Sequence, residues 1–328
     1  MSTMTEPLLS AEHLGKRFAN GVRAVDDVSL EIHPGETVGI VGESGCGKST
    51  TARLILRLLD PDEGAVRFGG VDLATLRGGR LRAMRRRLQL VPQNPQTSFN
   101  PKLRIGDSIA FNMVVNGTKR GAARARALEL LERVGIAPAH ASKHPHELSG
   151  GQLQRAAIAR ALATEPELVV CDEAVSALDK SVQAQVLNLL AELQRDTGVA
   201  FLFISHDLAV VEHVADRVVV MYLGRVVEQG PAMDLWRAPA HPYTGALLSA
   251  TPERMADRVV LAGDPPDPTD PPSGCWFRTR CPVAMEACAG DRPAAVAVAP
   301  GHEAACLRAT PAGSARAGGS ASPSPARA

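Results

Sequence analysis

Eight consecutive residues, Gly42-Glu43-Ser44-Gly45-Cys46-Gly47-Lys48-Ser49, have the types and spacing needed to wrap a row of phosphates. Gly42, Gly45 and Gly47 let successive backbone N–H groups converge on an anion, Lys48 sets a point charge at the β- and γ-phosphates, and the Ser49 hydroxyl is suited to ligate Mg²⁺. Ser44, Cys46 and Thr50 complete the loop and the first turn after it. The apolar stretch Leu168 to Cys171 ends in Asp172 and Glu173. Adjacent carboxylates at a strand end can divide two tasks, Asp172 reaching the Mg²⁺ shell and Glu173 polarising an attacking water. Two more polar residues follow apolar strands: Gln93 after Leu88 to Val91, and His206 after Phe201 to Ser205. His206 is suited to donate to a γ-phosphate, and Gln93 to sense Mg²⁺ or the lytic water. A second anion contact is implied by Leu148-Ser149-Gly150-Gly151-Gln152, which opens a helix-like run through Leu162, because helix N-termini offer free N–H groups to phosphate.

These residues need a scaffold that brings strand ends to one edge. Thr37 to Val41, Leu168 to Cys171, Ala200 to Ile204 and Arg217 to Tyr222 are nearly all apolar, the pattern of strands covered on both faces of a parallel α/β sheet, where ligands bind beyond the strand ends. The phosphate loop stands between the first of these and a helix-like Thr50 to Leu59. Lys180 to Arg195 reads as a helix with one apolar stripe through Val182, Val186, Leu189, Leu190 and Leu193. The Ala-, Leu- and Arg-rich residues between Val91 and Leu168, such as Gly121 to Val134, predict a helical subdomain inserted in the α/β core. Prolines at 265, 266, 268, 271 and 272 predict an extended connector over Leu261 to Ser273, leading to a small appended module. From about Thr310 the chain contains only small residues, proline and arginine, and is expected to be a disordered tail. No internal repeat is apparent.

Composition narrows the function classes. The 328 residues are 45% hydrophobic and 22% charged, as in a folded chain, and 36 basic against 35 acidic residues leave a net charge of +1. No global field therefore recruits nucleic acid or anionic lipid. The one dense basic run, Arg77, Arg80, Arg82, Arg85, Arg86 and Arg87, carries no interleaved aromatics and reads as a solvated helix face. No apolar run reaches the length of a membrane span, and Met1 to Phe18 lacks the apolar core of a secretory signal, so a cytosolic location is expected. Cys46 and Cys171 stand alone, whereas Cys275, Cys281, Cys288 and Cys306 crowd one carboxyl-terminal stretch. Their gaps are wider than those of common zinc ribbons; an iron–sulfur cluster, zinc and free structural thiols all remain open.

In this order, the phosphate loop, Gln93, Leu148 to Gln152, Asp172-Glu173, Ser176 to Asp179 and His206 resemble the nucleotide-binding subunit of an ABC transporter, over roughly residues 8 to 308. The resemblance implies an α/β P-loop NTPase (RecA-like) core with an inserted α-helical subdomain at about 95–162, within a nucleotide-binding domain of residues 1–235. It implies ATP and Mg²⁺ as ligands, with Ser49, Gln93 and Asp172 around the metal and Glu173, His206 and Gln93 in catalysis. Ser149, Gly150, Gly151 and Gln152 then contact the γ-phosphate held by the other subunit of a dimer with two composite sites. Ser176 to Asp179 couple those sites, and Phe18 stacks on adenine. The family usually places proline after the acidic pair; Ala174 stands there instead, which loosens the turn but leaves both carboxylates. Val91 to Pro101, His241-Pro242-Tyr243-Thr244 and Pro271 to Cys275 resemble, more narrowly, the second ATPase subunit of dipeptide and oligopeptide importers. Some such members carry a [4Fe–4S] cluster in an extension equivalent to residues 236–309. The expected partners are a paralogous ATPase subunit, two integral membrane permeases and, through them, an extracellular solute-binding protein, at the cytoplasmic face of the cell membrane. The alternative is a soluble ABC-type ATPase acting on nucleic acid or ribosomes.

Overall fold

Two sheets share the chain in the computed structural model, which describes residues 6–176, 178–251 and 259–312. Strands β1 (Leu9–Arg17) and β2 (Arg23–Ile32) form an antiparallel hairpin, β3 (Thr37–Val41) enters the core and feeds helix α1 (Lys48–Ile55), and β4 (Glu63–Phe68) and β5 (Val71–Asp72) return to the first sheet. That sheet has the order β2-β1-β4-β5. Helix α2 (Gly78–Arg87) carries the arginine run into β6 (Leu88–Val91), a strand of the second sheet. Four helices follow without an intervening strand: α3 (Pro95–Ser98), α4 (Ile105–Val115), α5 (Arg120–Arg133) and α6 (Gly150–Leu162). The chain then alternates through β7 (Leu168–Asp172), α7 (Lys180–Thr197), β8 (Ala200–Ser205), α8 (Leu208–Val214), β9 (Arg217–Tyr222) and β10 (Arg225–Pro231). Helices α9 (Ala232–Arg237) and α10 (Pro242–Ser249) and the short hairpin β11 (Val296–Ala299) and β12 (His302–Ala304) complete it.

The second sheet has the order β11-β12-β10-β9-β3-β8-β7-β6, and the five strands from β9 to β6 are parallel. Every residue of β3 and β8 is buried, as strands with helices on both faces require. The antiparallel sheet on one side of this core was not legible in the sequence. On the carboxyl-terminal side, β12 pairs with β10, so the last hairpin extends the core sheet. Between them, Leu261 to Ser273 forms neither helix nor strand, as its prolines predict. Helix α1 ends at Ile55 rather than near Leu59, because Arg57 takes a left-handed backbone with φ 48°.

Apolar packing divides into three clusters. One joins the helical insertion to the sheet through residues such as Ile109, Leu131, Ile158 and Phe203, and another joins the antiparallel sheet to α1 through Leu14, Ile32, Leu54 and Phe68. The third gathers Val220, Tyr222, Trp236, Tyr243 and Phe277 beneath the carboxyl-terminal segment. Tyr222, Tyr243 and Phe277 meet edge to face with ring centroids 4.7–5.3 Å apart. Each fully buried side chain of this size contributes about 1.5–3 kcal/mol, which ties that segment to the end of β9. The expected tail lies, beyond residue 312, outside the described residues, as does Ala177.

Candidate active site

Register in the parallel core decides which polar residues meet. β3 pairs with both β8 and β9, and β7 lies between β8 and β6, so the residues following β3, β6, β7 and β8 emerge at one sheet edge. These are the phosphate loop, Gln93, Glu173 and His206.

The loop from Gly42 to Gly47 runs between β3 and α1, with φ of 151° at Gly42 and 103° at Gly47. A Cβ at Gly42 would stand 2.2 Å from the Met221 carbonyl oxygen, and one at Gly47 2.1 Å from that of Ala24. Both positions therefore admit only glycine, for backbone conformation and for space. The Lys48 ammonium is buried and donates to the carbonyls of Gly42 and Glu43, each at 2.8 Å, arching back over the loop. Ser49 Oγ donates to Asp172 Oδ1 at 2.9 Å. Burial pushes the Asp172 carboxyl above the usual carboxylate range, the Ser49 hydrogen bond opposes that, and the neighbouring Glu173 charge adds to it.

Glu173 is the meeting point of the edge. Its Oε2 accepts from Gln93 Nε2 at 2.5 Å, and its Oε1 lies 3.2 Å from His206 Nδ1. Its backbone is in the left-handed region, φ 48°, held by its N–H donating to the Ile204 carbonyl and by the turn that Ser176 N–H closes onto its own carbonyl. Ala174, where the resemblance leads one to expect proline, is buried in this turn. Ala24, Ser44, Gly45, Gly47, Lys48, Ser49, Thr50, Gln93 and Glu173 line one cavity of about 320 Å³. Ala24 was missed in the sequence, since nothing local marks a β2 residue as a neighbour of a loop some twenty positions later.

Other expected site residues stand apart from this cavity. Phe18 follows β1 in the hairpin turn, 39% exposed, and does not line it. Cys46 is buried in the loop, and burial raises its thiol pKa. Ser149 caps α6: its Oγ accepts from Gln152 N–H at 3.3 Å, while Gln152 Oε1 accepts from Ser149 N–H at 3.1 Å. Ser149 and Gly150 are exposed, and a Cβ at Gly150 would meet nothing within 4 Å. Gly151 instead faces Val182 of α7. Asp179 caps α7 by accepting from Val182 N–H at 3.0 Å.

The carboxyl-terminal cysteines Cys275, Cys281, Cys288 and Cys306 are all free thiols. Burial first, then the charges of Cys288, Cys306 and Cys281, pushes the Cys275 thiol up; burial first, then the charges of Cys306 and Cys288, does the same at Cys281. Among the described residues, no three His, Cys, Asp or Glu side chains are gathered around a position for a metal ion, so the arrangement of these thiols supports neither zinc nor the expected iron–sulfur cluster.

Comparison with known proteins gives a consistent result. Residues 25–176 match the family described as ABC transporter, and residues 227–288 the one described as oligopeptide/dipeptide transporter, C-terminal region. The "Probable peptide ABC transporter ATP-binding protein y4tS" of Sinorhizobium fredii is 49% identical over 95% of this chain and 93% of its own. The oligopeptide transport ATP-binding protein OppF of Salmonella typhimurium is 47% identical over 88% and 89%. Among solved structures, cbiO1 of Clostridium perfringens, part of an ABC transporter complex, superimposes with a TM-score of 0.65 at 28% identity over 71% of this chain and 92% of that one. The dimeric ATP-binding cassette MJ0796, bound to ADP and Pi, gives 0.63 at 29% identity over 68% and 98%.

Proposed function

The chain belongs to the ATP-binding proteins of peptide ABC transporters, with their P-loop NTPase fold, and we propose that it is the ATP-hydrolysing subunit energising import of di- and oligopeptides or related small solutes. The observation that carries this reading is the convergence of Gln93 and His206 on Glu173 at the mouth of the phosphate-loop cavity. Catalysis of phosphoryl transfer to water is mostly positioning and charge stabilisation, and the residues divide it accordingly. The backbone N–H groups of the loop cradle the phosphates, and Lys48 leaves its two carbonyl partners to meet the β- and γ-phosphates. Glu173 accepts a hydrogen bond from the attacking water, Gln93 fixes that carboxylate, and His206 donates to the γ-phosphate. Ser49 and Asp172, hydrogen-bonded to each other here, present one hydroxyl and one carboxylate as Mg²⁺ asks, with Gln93 beside them. When bound, the metal neutralises charge developing on the phosphate oxygens.

The amino terminus of α6, where Ser149 and Gly150 are exposed and Gly151 and Gln152 half-buried, supports a composite site completed by a second ATP-binding subunit, a paralogue in this reading. Two permease subunits and, through them, a solute-binding protein complete the assembly at the cytoplasmic face of the membrane, where this chain is peripheral. No helix among the described residues is long and apolar enough to cross a membrane. The alternative of an ATPase acting on nucleic acid or ribosomes finds no support among the relatives. Within the segment 236–309, the free thiols of Cys275, Cys281, Cys288 and Cys306 equal in number the four thiolates that a [4Fe–4S] cluster takes, and that count is what carries this part of the reading. Iron and sulfide analysis of anaerobically purified protein tests this; a colourless, iron-free preparation would rule it out. For the main reading, Glu173→Gln in the assembled transporter retains ATP binding and lowers turnover by about 10²–10⁴, the span general-base catalysis covers. Turnover near that of the parent would overturn it.

A further inference from the structure

Glu43, the second residue of the phosphate loop, does not line the cavity. Its side chain points instead to the carboxyl-terminal segment, where Arg280 grips it with both guanidinium ends: Nη1 donates to Oε2 at 2.8 Å and to Oε1 at 3.1 Å, and Nη2 to Oε1 at 3.1 Å. The Arg280 side chain is 8% exposed and that of Glu43 28%, so water screens the pair weakly. The backbone of Glu43 is held as well. Its N–H donates to the Tyr243 hydroxyl at 2.9 Å, and its carbonyl accepts from Lys48. Tyr243 is fixed in turn by Tyr222 and Phe277 against its ring, and Arg280 by a turn in which its N–H donates to the Phe277 carbonyl at 3.0 Å. Every polar handle of Glu43 is thus occupied, two of them from residues about two hundred positions downstream.

Phosphate binding needs the loop N–H groups to converge, and any freedom they have beforehand is lost on binding and weakens affinity. Lys48 must release the Gly42 and Glu43 carbonyls to meet phosphate, which removes one internal tie of the loop. Arg280 and Tyr243 hold the same residue from outside and need not let go. We propose that Arg280 and Tyr243 are positioning residues of the ATP site, acting through Glu43 to keep the entrance of the phosphate loop in its binding shape. This inference rests on the ATP-site reading above. It makes the carboxyl-terminal segment a working part of nucleotide binding.

The test uses the full-length chain for ATP binding, by displacement of a fluorescent ATP analogue, and the assembled transporter for KM and kcat. A charge-assisted bidentate pair is about twice as strong as a neutral hydrogen bond, so Arg280→Gln is expected to weaken ATP binding and raise KM about tenfold. With Glu173, Gln93 and His206 untouched, kcat stays within about threefold of the parent. Arg280→Lys, which keeps the charge but loses the fork, recovers part of the affinity. The charge-swapped pair Glu43→Arg with Arg280→Glu binds ATP more tightly than either single variant, a readout that simple destabilisation of the segment would not produce. Tyr243→Phe, which removes only the acceptor oxygen, weakens binding by a smaller factor in the same direction. Parental affinity in Arg280→Gln beside lost affinity in Lys48→Ala would overturn the clamp and leave the ATP site standing. So would a swapped pair no better than its singles. Unchanged binding in Lys48→Ala would overturn the ATP-site reading and the clamp with it.

Discussion

Gly45 and Gly47 lie two residues apart in the phosphate loop, both with positive φ, and substituting alanine at each separates the two reasons a glycine can be required. Gly45 has φ 79° and nothing within 4 Å of the position a Cβ would take. Gly45→Ala therefore carries only the left-handed penalty of a non-glycine residue, about 1–2 kcal/mol. At Gly47, φ 103°, the same penalty applies, and the new Cβ would also stand 2.1 Å from the Ala24 carbonyl oxygen and 3.3 Å from Gly224 Cα. Both neighbours are backbone, so the clash cannot be relieved by a side-chain rotation. Gly224 is tied on each side, its N–H donating to the Cys46 carbonyl and its carbonyl accepting from Asp26 N–H, each at 2.8 Å. Opening the gap strains those two hydrogen bonds, worth about 0.5–1.5 kcal/mol apiece. Gly47→Ala thus totals about 2–5 kcal/mol. Thermal unfolding of the nucleotide-free chain is the assay, since the cavity is then empty and the substituted methyl meets protein only. With about 2–4 °C per kcal/mol expected for a large domain, the midpoint falls by about 2–8 °C for Gly45→Ala and by about 4–20 °C for Gly47→Ala. A drop for Gly45→Ala equal to or larger than that for Gly47→Ala would refute the argument from space.

Two further predictions concern titration. Asp172 is raised by burial, so the native state holds its proton at pH values where the unfolded chain has lost it, and stability falls as pH rises through that window. Asp172→Asn, which keeps an acceptor for Ser49, is therefore expected to raise the metal-free melting temperature at neutral pH while abolishing Mg²⁺-dependent hydrolysis; a lower melting temperature would contradict the assignment of burial as the dominant cause. His241, 2% exposed, caps α10 by accepting from Tyr243 N–H at 3.1 Å, and burial lowers its pKa to about 4 from 6.5. A depressed histidine pKa means stability is present above about pH 6.5 and is lost as pH falls towards 4. His241→Asn retains a cap without a titrating ring, so its melting temperature is expected to decline less over that interval, as differential scanning fluorimetry across pH would register.

What was legible in the sequence follows from how local each requirement is. The phosphate loop could be read because its chemistry needs glycines, Lys48 and Ser49 in one contiguous stretch, and its fold context, an apolar strand before and a helix after, is equally local. Gln93, Glu173 and His206 could be read as one group because each follows a short apolar strand, and such strands in a parallel sheet end at one edge. The antiparallel sheet was harder: β1 slips register between Ala11 and Leu14 and again around Lys16, which breaks the alternation that would mark it. The last hairpin, four residues of alanine and valine and three more, is too short to announce itself.

The pair of Glu43 and Arg280 shows where local reading ends. In sequence, Glu43 occupies a position of the phosphate-loop pattern that any residue can fill, and Arg280, beside Cys281, is one of many arginines. Nothing in either neighbourhood names the other, because 237 positions separate them. Their meeting depends on β10 returning beside β9, on α10 setting Tyr243 against Tyr222, and on Phe277 closing the same cluster, so that apolar packing delivers a charged side chain to the loop. The His-Pro-Tyr stretch is therefore explained by local physics at both ends: His241 caps the helix, Pro242 starts it, and Tyr243 reaches the N–H of Glu43. A motif that in the sequence served only to mark kinship is, in the structure, a direct contact with the glycine-rich loop between β3 and α1.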